Sequence, residues 1–211
     1  MSAPDPAVAS VLEAVPVMPV VVVEELRDAV PVARALVAGG LPAIELTPRT
    51  PVALEALRAI ASEVPGILLG AGTIATPAQA EAAVEAGAAF LVSPGLTSDL
   101  LTAMLGTGVP FLPGTATVSE VMRVLEAGLT EMKFFPAEAS GGAAYLKAVG
   151  GPLPQARFCP TGGITPANAA SYLALANVGC VGGTWLTPSD AVRAGDWDRI
   201  TRLAAEAAAL G

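Results

Sequence analysis

The 211-residue chain carries eleven basic and nineteen acidic side chains besides its 53% AVILMFWYC content, a net charge of −8, and no histidine. The acid excess, the 4% aromatic content and the lack of a basic run exclude an electrostatic nucleic-acid surface. The missing histidine excludes Ser-His-Asp triads, imidazole bases and histidine metal ligands.

The N-terminal MSAPDPAVAS lacks the basic region of a secretory signal, and residues 3–14 read as a helix ahead of the first strand. Apolar runs too short for helices follow at 16–22, 42–46, 67–71, 89–92, 109–112, 130–135, 157–159 and 178–181. The segments between them read as helices. Thr50-Pro51, Thr76-Pro77 and Thr165-Pro166 each offer an N-cap followed by proline at the first helical position. Thr117 and Glu120 have the spacing of a capping box. Ala38-Gly39, Ala86-Gly87 and Ala127-Gly128 end helices, with glycine in the left-handed position that closes them. Residues 191–209 supply the last helix.

Strands alternating with helices imply a parallel sheet with right-handed crossovers. Eight such units favour a closed (β/α)8 TIM barrel with a short N-terminal helix, as a single domain over residues 1–211, over an open doubly wound sheet. No G-x-G-x-x-G follows the first strand, so the usual dinucleotide motif is missing. Residues 158–189 carry no charge, yet Pro160, Gly162, Gly163, Pro166, Gly182 and Gly183 interrupt them too often for a membrane helix. A soluble, cytoplasmic protein without membrane or nucleic-acid partners is expected.

Chemistry must then come from lysine, carboxylates, arginine, hydroxyls and backbone. The chain has two lysines. Lys147 sits in a helical stretch where a surface role is expected. Lys133 lies in EMKFFPAE, inside a central strand. Burial disfavours an ammonium group, and a neutral amine can add to a ketone and form an imine. The alternative is a lysine paired with a buried carboxylate, and Glu131 has the strand parity to be that partner.

The second strand ends in Glu45-Leu46-Thr47-Pro48-Arg49. Glu45 can transfer protons and Arg49 can grip a substrate carboxylate; a Glu45–Arg49 ion pair that only braces the barrel is the alternative. Gly70-Ala71-Gly72-Thr73 and Ser93-Pro94-Gly95 end the next two strands; the glycines of the first let backbone approach a ligand and Thr73 adds a hydroxyl, with ordinary turn chemistry the alternative for both. After strand seven comes Thr161-Gly162-Gly163-Ile164-Thr165-Pro166, and after strand eight Gly182-Gly183-Thr184. Two glycine turns beside a helix N-terminus can cradle a phosphate. Cys159 and Cys180 sit in apolar runs and read as buried, reduced thiols.

At these residues the chain resembles the class I aldolases acting on 2-keto-3-deoxy-6-phosphogluconate (KDPG) and on 4-hydroxy-2-oxoglutarate. The likeness runs through PVMPVVVV, IELTPRT, GAGTI, SPGLT, KFFPAEASGG, RFCPTGGITPANAASYLAL and VGGTWLTP. It implies a metal-free homotrimer, with reversible cleavage to pyruvate and glyceraldehyde 3-phosphate as in the Entner–Doudoroff route. Lys133 matches the Schiff-base lysine and Glu45 the general acid/base. Arg49 and Thr73 match the groups holding the pyruvyl carboxylate, and Pro94 and Phe135 those lining the pyruvyl end. Thr161 matches the position tied to stereochemistry at C4. There the sister galactonate-pathway enzymes tend to carry valine, so threonine favours the gluconate epimer. Gly162, Gly163 and Thr184 match the phosphate end; Thr184 stands where the family commonly has serine. Two other outcomes stay open: a chiefly 4-hydroxy-2-oxoglutarate-directed aldolase, and an assembly scaffold built on this barrel.

Overall fold

The computed structural model describes residues 10–211. Most of the helix expected over residues 3–14 lies outside the described residues; its end is a single 3-10 turn, Val11–Glu13. Strands β1 (Val17–Val21), β2 (Ala43–Leu46), β3 (Leu68–Ala71), β4 (Phe90–Val92) and β5 (Phe111–Leu112) pair side by side in parallel, and β9 (Val181–Gly183) pairs with β1 on its free side. A second parallel run joins β6 (Gly114–Thr115), β7 (Glu131–Phe134) and β8 (Arg157–Pro160). Single bridges from Phe158 to Val178 and from Thr161 to Gly182 connect β8 to β9. Only Pro113 separates β5 from β6, so these two are halves of one stave and the ring closes with eight.

Pro113 explains the split. It has no N–H to donate to the ladder, but its carbonyl accepts from the Lys133 N–H at 3.0 Å. The fifth stave therefore reaches Thr115 instead of ending at Leu112. The last stave is also shifted: Val178 makes a lone bridge, while the paired strand includes Gly182 and Gly183, whose weak strand preference reads as a turn in sequence.

The helices are α1 (Leu26–Ala38), α2 (Ala53–Glu63), α3 (Pro77–Glu85), α4 (Ser98–Gly106), α5 (Val118–Glu126), α6 (Gly142–Val149), α7 (Pro166–Leu173), α8 (Ser189–Ala194) and α9 (Trp197–Ala208). Thr76 caps α3 and Thr117 caps α5, each in a capping box with Gln79 or Glu120. Pro166 opens α7 behind Thr165, whose N–H donates to the Asn168 side chain at 2.8 Å. Thr50 does not cap α2. Its hydroxyl donates to the Val23 carbonyl at 2.7 Å, tying the loop after β2 to the end of β1, and the helix starts later, behind Val52.

Gly87 and Gly128 take the left-handed turn after α3 and α5, but after α1 that position belongs to Gly40. Gly39 is glycine for space: a Cβ there would lie 2.4 Å from the Ala204 Cβ and 2.5 Å from the Thr201 carbonyl on α9. The expected final helix is two helices, broken at Gly195 (φ 65°), after which Asp196 accepts from the Arg199 N–H and starts α9.

At the amino ends of the strands the 3-10 turn covers the barrel. Ser10 donates to Glu131, Glu13 pairs with Arg157 at 2.7 Å, and Leu12 fills the room left by the missing side chain of Gly179. The carboxyl ends of the strands remain as the open mouth. Among the described residues no helix is long and apolar enough to cross a membrane.

Candidate active site

Strand alternation sends Met132 and Phe134 of β7 outward, where Phe134 stacks on Tyr145 of α6 at 5.2 Å between ring centroids. Lys133 therefore points into the barrel, in register with Gly114 on β6 and Cys159 on β8. It is 5% exposed. Its Nζ donates to Oε1 of Glu45, 3.0 Å away on β2, a residue only 1% exposed. The expected alternative partner, Glu131, is instead engaged by Ser10 one layer below. The ring centroid of Phe135 lies 5.6 Å from the Lys133 nitrogen, within range of a cation–π contact.

Glu45 has a seat made by glycine. A Cβ on Gly72 would fall 2.1 Å from Glu45 Oε1, and one on Gly70 would fall 2.1 Å from the Phe90 ring. These two glycines thus make room for side chains of the barrel rather than for a ligand, contrary to the expectation from sequence. Thr73, the next residue, has φ 57°. A β-branched residue in the left-handed region stores about 1–3 kcal/mol of strain, which the surrounding strand ends must hold. Thr73 is half-buried at the mouth, one residue beyond the seat of Glu45.

Arg49, on the loop after β2, is exposed and has no ion pair among the described residues. The Glu45–Arg49 brace considered from sequence is therefore absent, and Lys133 takes the carboxylate. Two staves further round the ring, Ser93 is fully buried and its hydroxyl accepts from the Gly114 N–H at 3.2 Å, holding the Pro94 turn against the split stave. Gly114 has no room for a Cβ, which would lie 2.3 Å from the Pro94 carbonyl carbon.

Thr161 follows β8 directly, 5% exposed, with its Oγ1 3.8 Å from the Cys159 Sγ. Gly182 leaves space for it, since a Cβ would come within 2.2 Å of that oxygen. Gly162 (φ 99°) and Gly163 (φ 81°) follow as two left-handed residues in a row. Thr184 is exposed just past β9, beside a cavity of about 250 Å³ lined by Val20, Val22, Arg27, Thr187 and Arg193. Val20 is in register with Glu45, so this cavity adjoins the buried pair across one strand.

Cys159 and Cys180 are free and buried. A hydrogen bond to Cys159, then burial, holds the Cys180 thiol well above the ordinary thiol range. The thiolate is the reactive form, so we predict that 5,5′-dithiobis(2-nitrobenzoate) releases no thionitrobenzoate from the native protein and two equivalents after denaturation. Rapid native release would contradict this burial.

Residues that sequence reasoning missed are Gly72 as the seat of Glu45, the Ser93–Gly114 contact, and Glu138. Glu138 accepts from Tyr172 and packs over Gly163; nothing in the KFFPAE segment alone signals a partner on α7. Among the described residues no cluster of three or more Cys, Asp or Glu could hold a metal ion.

A closed parallel barrel with a buried lysine–glutamate pair below its open mouth defines a (β/α)8 enzyme equipped for amine chemistry. Residues 8–203 match the family model for KDPG and KHG aldolase. The KHG/KDPG aldolase of Escherichia coli K12 is 56% identical over 94% of this chain and 93% of its own length. A KDPG aldolase from Legionella pneumophila, solved with pyruvate captured as a covalent carbinolamine, superposes with a TM-score of 0.91 at 48% identity, covering 93% of this chain and 96% of the other. The Zymomonas mobilis ZM4 enzyme, solved with 3-phosphoglycerate, gives 0.89 at 48% identity over 95% and 94%. The chain belongs to the KDPG and KHG aldolase family.

Proposed function

We propose that this protein is a class I aldolase. It reversibly cleaves 2-keto-3-deoxy-6-phosphogluconate to pyruvate and D-glyceraldehyde 3-phosphate, the Entner–Doudoroff step, through a metal-free Schiff base on Lys133. The observation that carries this reading is the buried 3.0 Å contact between the only interior lysine and Glu45.

Proton transfer from Lys133 to Glu45 along that hydrogen bond frees the amine. The amine attacks C2 of the keto acid, and Glu45 returns its proton to the departing hydroxyl, leaving a protonated imine and water. Glu45, through a water, then takes the proton of the C4 hydroxyl. The C3–C4 bond breaks and its electrons flow into the imine, giving an enamine and releasing the aldehyde. Protonation of the enamine carbon and hydrolysis of the imine free pyruvate and restore Lys133. One carboxylate suffices because each step returns it to the form the next step needs.

Arg49, without an ion pair among the described residues, and the strained Thr73 hold the pyruvyl carboxylate; Pro94 and Phe135 line the pyruvyl end. Thr161 meets the C4 hydroxyl and favours the gluconate epimer. Gly162, Gly163 and Thr184 take the phosphate, a reading supported by the phosphate ester held by the Zymomonas relative. The extra methyl of Thr184 keeps the hydroxyl that serine would supply. The double name of the Escherichia relative supports 4-hydroxy-2-oxoglutarate as a second substrate. The protein acts as a soluble cytoplasmic homotrimer, which light scattering of the purified protein tests directly.

The deciding experiment is reductive trapping. Incubation with pyruvate and borohydride should add one reduced pyruvyl group, mapped by peptide mass to Lys133. An adduct confined to Lys147, or no adduct, sinks the mechanism.

A further inference from the structure

The Gly162–Gly163 turn poses a physical problem. Two consecutive left-handed glycines aim backbone N–H groups well, but glycine has the greatest conformational freedom of any residue and does not hold that shape unaided. An anion site built from such a turn is weak unless something outside the turn fixes it. The surroundings contain that support. The Ala137 N–H donates to the Thr161 carbonyl at 2.8 Å, and the Glu138 N–H donates to the Gly162 carbonyl at 3.1 Å. The loop after β7 is thereby zipped to the turn after β8.

The Glu138 side chain completes the contact. Its Cγ lies 2.6 Å from where a Cβ on Gly163 would be, too close for any side chain there. Its carboxylate accepts the hydroxyl hydrogen of Tyr172, a residue on α7 that is 1% exposed. The same carboxylate lies at the start of α6, since a Cβ on Gly142 would be 3.5 Å from Glu138 Oε1. The tyrosine hydroxyl, and solvent around the exposed Glu138, moderate a charge that would otherwise oppose an anion at the turn. Burial, followed by the hydrogen bond to Glu138, raises the Tyr172 hydroxyl far above the usual tyrosine range, so it remains a donor at every working pH.

We infer that Glu138 and Tyr172 form a clamp that pre-organises the Gly162–Gly163 turn for the phosphate of the substrate. They are positioning residues: neither touches the reacting atoms, and both act through the turn. The inference rests on the phosphate assignment made above. It extends that assignment to two side chains on separate elements, and it makes the affinity for phosphorylated substrates depend on a contact that touches no substrate atom.

The test is Tyr172→Phe, which deletes one oxygen and keeps the ring in its packed site. Steady-state cleavage is measured with 2-keto-3-deoxy-6-phosphogluconate and with 4-hydroxy-2-oxoglutarate, together with inhibition by inorganic phosphate and borohydride trapping of pyruvate. The expected result is a KM for the phosphorylated substrate raised several-fold, at most about tenfold, the scale of one part-buried hydrogen bond to a charged group. The inhibition constant of phosphate should rise in parallel. The kcat, the trapping yield and the KM for 4-hydroxy-2-oxoglutarate should stay as in the parent. Glu138→Gln, which retains an oxygen to accept from Tyr172, should keep most of the phosphate affinity, whereas Glu138→Ala should repeat the loss.

Equal losses with both substrates would assign the pair a general structural role and overturn the clamp, as would an unchanged phosphate constant in Tyr172→Phe. If the parent itself shows no preference for the phosphorylated substrate, the clamp falls with the phosphate assignment. Trapping at Lys133 then still reports separately on the Schiff-base mechanism.

Discussion

Lys133→Met is expected to lower kcat by on the order of 10⁴-fold or more, because the other lysine, Lys147, is exposed on α6 and cannot carry the imine at this site. Borohydride trapping with pyruvate should vanish. The same change leaves Glu45, 1% exposed, without its 3.0 Å partner. Removing one member of a buried ion pair costs about 3–5 kcal/mol, more than removing both, since the remaining charge is stranded in the barrel. Thermal unfolding should therefore show Lys133→Met clearly destabilised. Lys133→Met combined with Glu45→Met fills the same space with apolar atoms and should recover most of that loss. Activity should not recover with it. This separates the two meanings of the pair: a brace would be replaced by the double variant, and a catalytic couple would not. A double variant that regained both stability and cleavage would end the catalytic assignment.

The repeat of the barrel was legible because each unit carries its own local signals. Short apolar runs give the staves, and Thr76 with Gln79 and Thr117 with Glu120 fix helix starts through contacts only three residues long. Signals failed where a residue had two local uses. Thr50 has the chemistry of a cap but spends its hydroxyl on Val23, a residue brought near only by strand pairing. Gly39 looks like a helix terminator but is small because α9 presses on it. Gly195 breaks the last helix inside what reads as one amphipathic run.

The site was legible as residue types, and its pairing was not. Parity along β7 offered Glu131 as the partner of Lys133, and proximity in sequence offered Arg49 as the partner of Glu45. The barrel instead joins Lys133 to Glu45 across 88 residues. Closure of the ring sets which layer each side chain occupies: Glu131 falls one layer lower, against Ser10, and Arg49 stays on the rim without an ion pair among the described residues. Likewise Gly70 and Gly72 signal a need for space, but only the fold tells that Phe90 and Glu45 use it.

Gly72→Ala turns that last point into an expected result: a kcat reduced by about 10²–10⁴-fold, the range associated with losing a positioned general acid/base. The substitution adds one methyl and changes no ionisable group. Its Cβ would lie 2.1 Å from Oε1, 2.5 Å from Cγ and 2.6 Å from Cδ of Glu45, far inside contact distance. The backbone of Gly72 cannot retreat easily, because its N–H donates to the Leu46 carbonyl at 2.8 Å within the barrel ladder. Glu45 must then swing away, and the contact with Lys133 opens. Gly72 does not have a positive φ, so alanine carries no backbone penalty there, and its smaller unfolded-state entropy offsets part of the packing cost. Thermal stability should fall as well, since the buried pair is parted, so kcat is read on the folded fraction. Gly106→Ala is the matched control: it too adds a methyl, at the end of α4, where nothing lies within 4 Å, and it should leave the rate unchanged. Pyruvate release coupled to lactate dehydrogenase measures both. A Gly72→Ala enzyme within threefold of the parent would mean that the position of Glu45 does not limit the reaction, and the proton-transfer role given to it would have to pass to another group.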